Sequence, residues 1–163
     1  MSTLQKALFA AGCFWGVQYY FDQVPGVVRT TAGYTGGRTA NPTYDQVASH
    51  TTGHAEAVLV EFDPAKASYQ LLAKHFFRMH DPTQLDRQGP DIGDEYRSAI
   101  FYFNDLQKTI AERLRDDQQA KIRKPIVTQI TMAGTFYPAE AYHQKFSQRT
   151  GIGMCHIPYK QIA

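Results

Sequence analysis

A chain of 163 residues, 43% apolar and 20% charged, has the make-up of one globular domain and is short for two. Its net charge of +2, without a basic run interleaved with aromatics, argues against nucleic acid as a partner. No apolar stretch approaches the roughly 20 residues of a membrane helix, so no membrane association is expected. With two cysteines, far apart, it carries neither a disulfide scaffold nor a close-spaced zinc motif, and no metal or other cofactor is expected.

The opening MSTLQKALFAAGCFWG lacks the charged-then-apolar order of a secretory signal, so a cytoplasmic location is expected unless a targeting segment was removed. Residues 5–11 read as a short strand. From Phe14 the apolar spacing becomes helical (Phe14, Val17, Phe21) and VPG at 24–26 ends the run. A second strand is expected over 27–34, with turn residues in YTGG, and NPTYDQV reads as loop. AEAVLVEF at 55–62 is the clearest strand. Ser68 caps a helix carrying Leu71, Leu72, His75, Phe76 and Met79. Residues 80–96 form a long polar loop, a frequent carrier of function. A strand over 97–103 follows, then a helix capped by Asn104 and Gln107 with Leu106, Ile110 and Leu114 on one side, and a strand over 126–132. PAEAYHQKF starts a last helix with Pro138 near its first turn, and the tail from Thr150 has too many small residues for a rigid element. Strands interleaved with helices point to helices packed on a mixed sheet.

Several polar residues sit oddly on this framework. Cys13 falls at the first strand–helix junction, where unsatisfied N–H groups and a partial positive charge favour a thiolate. If Phe14 faces the core, Trp15 is rotated about 100° away and can line a pocket beside the sulfur. The alternative is a buried cysteine acting as a small hydrophobe. In AEAVLVEF, Glu56 shares a face with Val58, Val60 and Phe62. A carboxyl so placed is poorly solvated and stays protonated, which suits a general acid, unless it reaches water at the strand end. Tyr44 and Tyr96 stand where site residues commonly emerge, or are half-buried aromatics. His50 and His54 are separated by Thr, Thr and Gly, a poor metal-binding helix. His143 reads as packing or support for a site.

In chain order, GCFWG at 12–16, GYTGG at 33–37, NPTY at 41–44, GHAEAV at 53–58, YRSAI at 96–100 and YHQKF at 142–146 resemble the A-type methionine sulfoxide reductases. The resemblance runs from near residue 5 to near 157. It implies an α+β fold, a two-layer α/β sandwich with a mixed sheet and a split βαβ (ferredoxin-like) core, plus extra segments and a long C-terminal coil. It also implies a single catalytic domain over 1–163 that reduces the S epimer of methionine sulfoxide, free or in proteins, a repair of oxidative damage. Carried over residue by residue, Cys13 is the nucleophile, Glu56 the acid that protonates the departing oxygen, and Tyr44 and Tyr96 donors to that oxygen. Phe14 and Trp15 form the slot for the substrate methyl, Asp91 helps bind substrate, and Cys155 is the resolving cysteine. Thioredoxin would reduce the Cys13–Cys155 disulfide, and a monomer is expected. Many members have a tyrosine before the resolving cysteine where this chain has Met154, and no third cysteine follows. Two other readings are a cysteine acyl-transfer enzyme using His54 or His143 as base, and a non-enzymatic module that grips methionine-rich or aromatic ligands.

Overall fold

The computed structural model describes residues 3–152 and 157–162. The chain opens with strand β1 (Gln5–Ala11) and turns through Gly12, whose φ of 96° is costly for any residue with a Cβ. Cys13 is the N-cap of helix α1 (Phe14–Asp22). Strand β2 (Val27–Thr35) follows, then a short helix α2 (Tyr44–Ala48) and strand β3 (Ala55–Phe62). Helix α3 (Tyr69–Met79) starts where Ser68 Oγ accepts from the Leu71 N–H, satisfying one of its orphan donors. The polar loop contains a minimal hairpin, β4 (Arg87–Gln88) and β5 (Asp91–Ile92), and a 3₁₀ turn at Asp94–Tyr96. Strand β6 (Ser98–Tyr102), helix α4 (Asp105–Gln119), strands β7 (Gln129–Met132) and β8 (Phe136–Pro138), a second 3₁₀ turn (Ala141–His143) and helix α5 (Phe146–Thr150) complete the described elements.

Among the described residues, six strands make one mixed sheet in the order β7-β6-β1-β3-β2-β8. β3 lies antiparallel to both β1 and β2, so these two run parallel with β3 between them; β6 and β7 pair in parallel through α4. Buried residues of α1, α2, α3 and α4 all join one cluster with Phe9, Val58, Val60, Phe62 and Ile100, so these helices cover one sheet face. Phe9 is at its centre, stacked on Phe21 at 5.2 Å and on Phe76 at 5.3 Å. The other face buries a smaller set: Leu8, Ala10, Ala55, Ala57, Ala99 and Phe101.

Three expectations need correction. NPTYDQV is not all loop: Thr43 and Gln46 form a reciprocal capping box that starts α2 at Tyr44. The last helix does not begin near Pro138. That proline ends a strand paired with Gly33, and Lys145 at φ 57° separates the 3₁₀ turn from α5, because Gln144 is drawn aside to bond both Ala32 N–H and Ala32 C=O. Leu106, expected on the apolar face of α4, is exposed, while Leu114 is buried. The tail, although in no regular element over 157–162, is tied down: Ile157 N–H donates to Met79 C=O, and Arg78 donates to Pro158 C=O.

Candidate active site

The site forms around the first turn of α1. The N–H of Phe14, the first helical residue and an orphan donor, gives its hydrogen bond to Glu56 Oε1 at 3.1 Å. This bond spans 42 residues and brings the β3 carboxyl to the residue next to Cys13. Glu56 is only 2% exposed, so it does not reach water at the strand end. Cys13 is half-buried, with its backbone C=O already accepting from Val17 N–H in the helix.

Tyr44 and Tyr96 arrive from other directions, Tyr44 as the first residue of α2 and Tyr96 as the last of the 3₁₀ turn. Tyr96 is a close polar neighbour of the Tyr44 hydroxyl. Burial raises the Tyr44 pKa, and Glu56 and Cys13, in their ionised forms, raise it further, while Tyr96 by itself lowers it. Burial likewise raises that of Tyr96, with Glu56, Tyr44, Glu95 and Asp91 adding to it. Both phenols therefore remain neutral donors, and the electrostatics gather Cys13, Glu56, Tyr44, Tyr96 and Asp91 into one locality.

An aromatic wall stands beside them. Phe14 is buried and Trp15 half-buried, as the helical spacing predicts. Trp15 stacks on Phe146 at 3.9 Å and donates its indole N–H to His143 Nδ1 at 2.9 Å. His143 packs against Phe14, Trp15 and Tyr44, and burial lowers its pKa against the opposing pull of Glu140. Its ring is thus neutral with the proton on Nε2, an atom that is buried and has no hydrogen-bond partner among the described residues. Glu140 ties the wall to the sheet: Tyr34 hydroxyl donates to its Oε1 and Tyr44 N–H to its Oε2. Burial alone would raise the Glu140 pKa, but these bonds hold it below the ordinary carboxylate range.

The sequence reading missed Glu140 and Glu95. Glu140 stands in a segment read as helix, where a carboxylate is ordinary, and Glu95 in a polar loop, yet Glu95 is 2% exposed and pairs with His50. His50, Asp94 and Glu95 each bring a ligand-type atom within 4.8 Å of the others, and two of the three, His50 and Glu95, are hydrogen-bonded to each other. His54 is spent on structure: its Nδ1 accepts from Gly37 N–H and its Nε2–H donates to Thr39 C=O. Cys155 lies outside the described residues.

A half-buried thiol at a helix N-terminus, a buried carboxyl one residue away and two phenol donors make a site for nucleophilic attack with proton delivery. The family profile for peptide methionine sulfoxide reductase matches residues 5–163. The chain belongs to the peptide methionine sulfoxide reductase family. This reductase is 52% identical over 156 residues to the MsrA of Geobacter sulfurreducens, covering 94% of this chain and 96% of that protein. Among solved structures it resembles reduced Mxr1 from Saccharomyces cerevisiae with a TM-score of 0.90 and 29% identity, over 96% of this chain and 93% of Mxr1. Mxr1 has also been solved in complex with Trx2; in that form the TM-score is 0.65 at 23% identity, over 96% of this chain and 91% of that one.

Proposed function

We propose that this chain reduces the S epimer of methionine sulfoxide, free or in proteins, to methionine, with Cys13 as nucleophile and Glu56 as acid. The observation that supports the reading is the Phe14 N–H to Glu56 bond, which brings the carboxyl to the backbone of the residue after Cys13 at one helix end. A sulfoxide oxygen leaves poorly unless protonated. A buried carboxyl favours its neutral form, and it can accept from Phe14 through one oxygen while holding its proton on the other. The helix N-terminus favours the thiolate that attacks the sulfur. As the S–O bond of the substrate breaks, the oxygen passes to Cys13 as a sulfenic acid and methionine departs; Tyr44 and Tyr96 steady that oxygen as it collects charge.

Phe14 and Trp15 form the apolar slot for the substrate methyl, with His143 Nε2–H as a further donor and Asp91 helping to bind substrate. Cys155 then condenses with the sulfenic acid, expelling water and leaving a Cys13–Cys155 disulfide. Thioredoxin reduces that bond; the complex of Mxr1 with Trx2 supports this assignment. The whole chain acts as one catalytic domain, a cytoplasmic monomer with a tail that brings Cys155 to the site. The parallel relation of β1 and β2 about β3 supports a split βαβ core in a two-layer sandwich.

A cysteine acyl-transfer reading fares worse, since both ring nitrogens of His54 are engaged and His143 Nδ1 accepts from Trp15. Among the described residues no helix is long and apolar enough to cross a membrane. Incubation with the separated epimers and dithiothreitol tests the proposal: methionine should be released from the S epimer, and release from the R epimer alone, or none at all, overturns it.

A further inference from the structure

We propose that the His50–Glu95 hydrogen bond is a positioning device that holds the Tyr96 hydroxyl in register with Tyr44 for the sulfoxide-reducing step. It rests on the reading above, in which the two hydroxyls bind the sulfoxide oxygen.

Glu95 is a carboxylate with 2% exposure, and burial of such a group is unfavourable unless a partner compensates it. His50 Nδ1 stands 2.7 Å from Glu95 Oε1. The backbone around the pair is specialised on both sides. His50 occupies the left-handed region at φ 64°, which a residue with a Cβ adopts at the expense of energy. Gly93 lies at φ 143°, and a Cβ there would collide with Glu95 Oε1 and with the His50 ring. One strained residue and one position that only glycine can fill thus frame one contact, the pattern expected where structure is spent on a site.

The location says what the contact does. His50 follows the Ser49 cap of α2, its N–H donating to Val47 C=O, and α2 begins with Tyr44. Glu95 directly precedes Tyr96 in a turn whose own backbone bonds are two, Tyr96 N–H to Gly93 C=O and Arg97 N–H to Asp94 C=O. The segments bearing the two phenols are therefore tied through His50–Glu95, beside the place where the phenols themselves come near each other. The charge of Glu95 is felt at both hydroxyls, which places the pair close to the reacting oxygen's partners. A donor that drifts by a fraction of an ångström loses much of its value in the transition state.

The test is a set of variants assayed for single-turnover sulfenic acid formation and for thermal midpoint. His50→Gly removes the tie and relieves the strained φ, so the midpoint should stay or rise while the rate falls about tenfold or more. Glu95→Ala should fall likewise, and Glu95→Gln, which can still accept from His50, should recover most of the rate. In a Tyr96→Phe background Glu95→Ala should add little, because the pair acts through the hydroxyl already removed. Wild-type rates in His50→Gly and Glu95→Ala overturn the proposal. So do a rate loss that merely tracks a lower midpoint, a glutamine variant as slow as alanine, or an equal loss from Glu95→Ala with and without the hydroxyl. Tyr96→Phe at the full rate instead removes the preceding role of Tyr96, and the pair's with it, while leaving Cys13 and Glu56 in place.

Discussion

Glu56 joins two opposing influences in one carboxyl. Burial on the apolar face of β3 favours the protonated form, whereas the Phe14 N–H at 3.1 Å would also welcome the anion. The first must dominate if the group is to give a proton, and the second keeps it beside Cys13 in either state. Glu56→Gln preserves the acceptor and removes the proton, so the fold and substrate affinity should persist while single-turnover reduction at neutral pH slows by about 10² to 10⁴. An unchanged rate would remove Glu56 from the acid role. Glu56 was legible in the sequence because a strand alternates strictly, and one charge among Val58, Val60 and Phe62 stands out. Glu140 and Glu95 were not, because in a loop or turn nothing periodic says which side chain will point inward.

Among the elements, the joint between α1, α3 and the tail carries its own titration. His75 Nδ1 lies 2.7 Å from the Tyr20 hydroxyl, and the Tyr159 ring covers both side chains. Burial, with a smaller contribution from Arg78, depresses the His75 pKa from 6.5 to about 4. The folded ring is neutral where the unfolded one takes up a proton, so its contribution to stability is complete above pH 6.5 and is lost as pH falls toward 4. The loss is of order 3 kcal/mol at most. Denaturant titrations across this window should show stability falling with acidity, and His75→Gln should flatten that slope whatever it does to the absolute value. An identical slope in the variant would show that other groups carry the effect. The same scale explains the misread elements. α3 and α4 were legible from Ser68 and Asn104 caps ahead of apolar periodicity, while α2 is five residues long and its only signal was the Thr43–Gln46 box. The segment after Pro138 looked helical by composition, but tertiary bonds from Gln144 to Ala32 outweighed that local preference.

For the whole molecule, the central demand of the proposed scheme is that two distant thiols meet within one catalytic cycle. The tail beyond residue 156 is anchored to α3 through Met79 and Arg78, which keeps the chain on the α1 side of the sheet. Cys155→Ser should still yield about one methionine per enzyme while thioredoxin-driven turnover collapses, and mass spectrometry of wild-type enzyme turned over without reductant should find Cys13 joined to Cys155. Recovery of Cys155 as a thiol would end the two-cysteine scheme. The sequence alone determined the succession of principal strands and helices, the junction that holds Cys13, and the apolar face that holds Glu56, because each depends on residues within a turn or a strand of one another. The tertiary structure alone decided the strand order, the meeting of Phe14 N–H with Glu56, the approach of Tyr44 and Tyr96, and the ring of aromatics about His143. Those contacts join segments tens of residues apart, and no local pattern records which of many apolar surfaces will pack together.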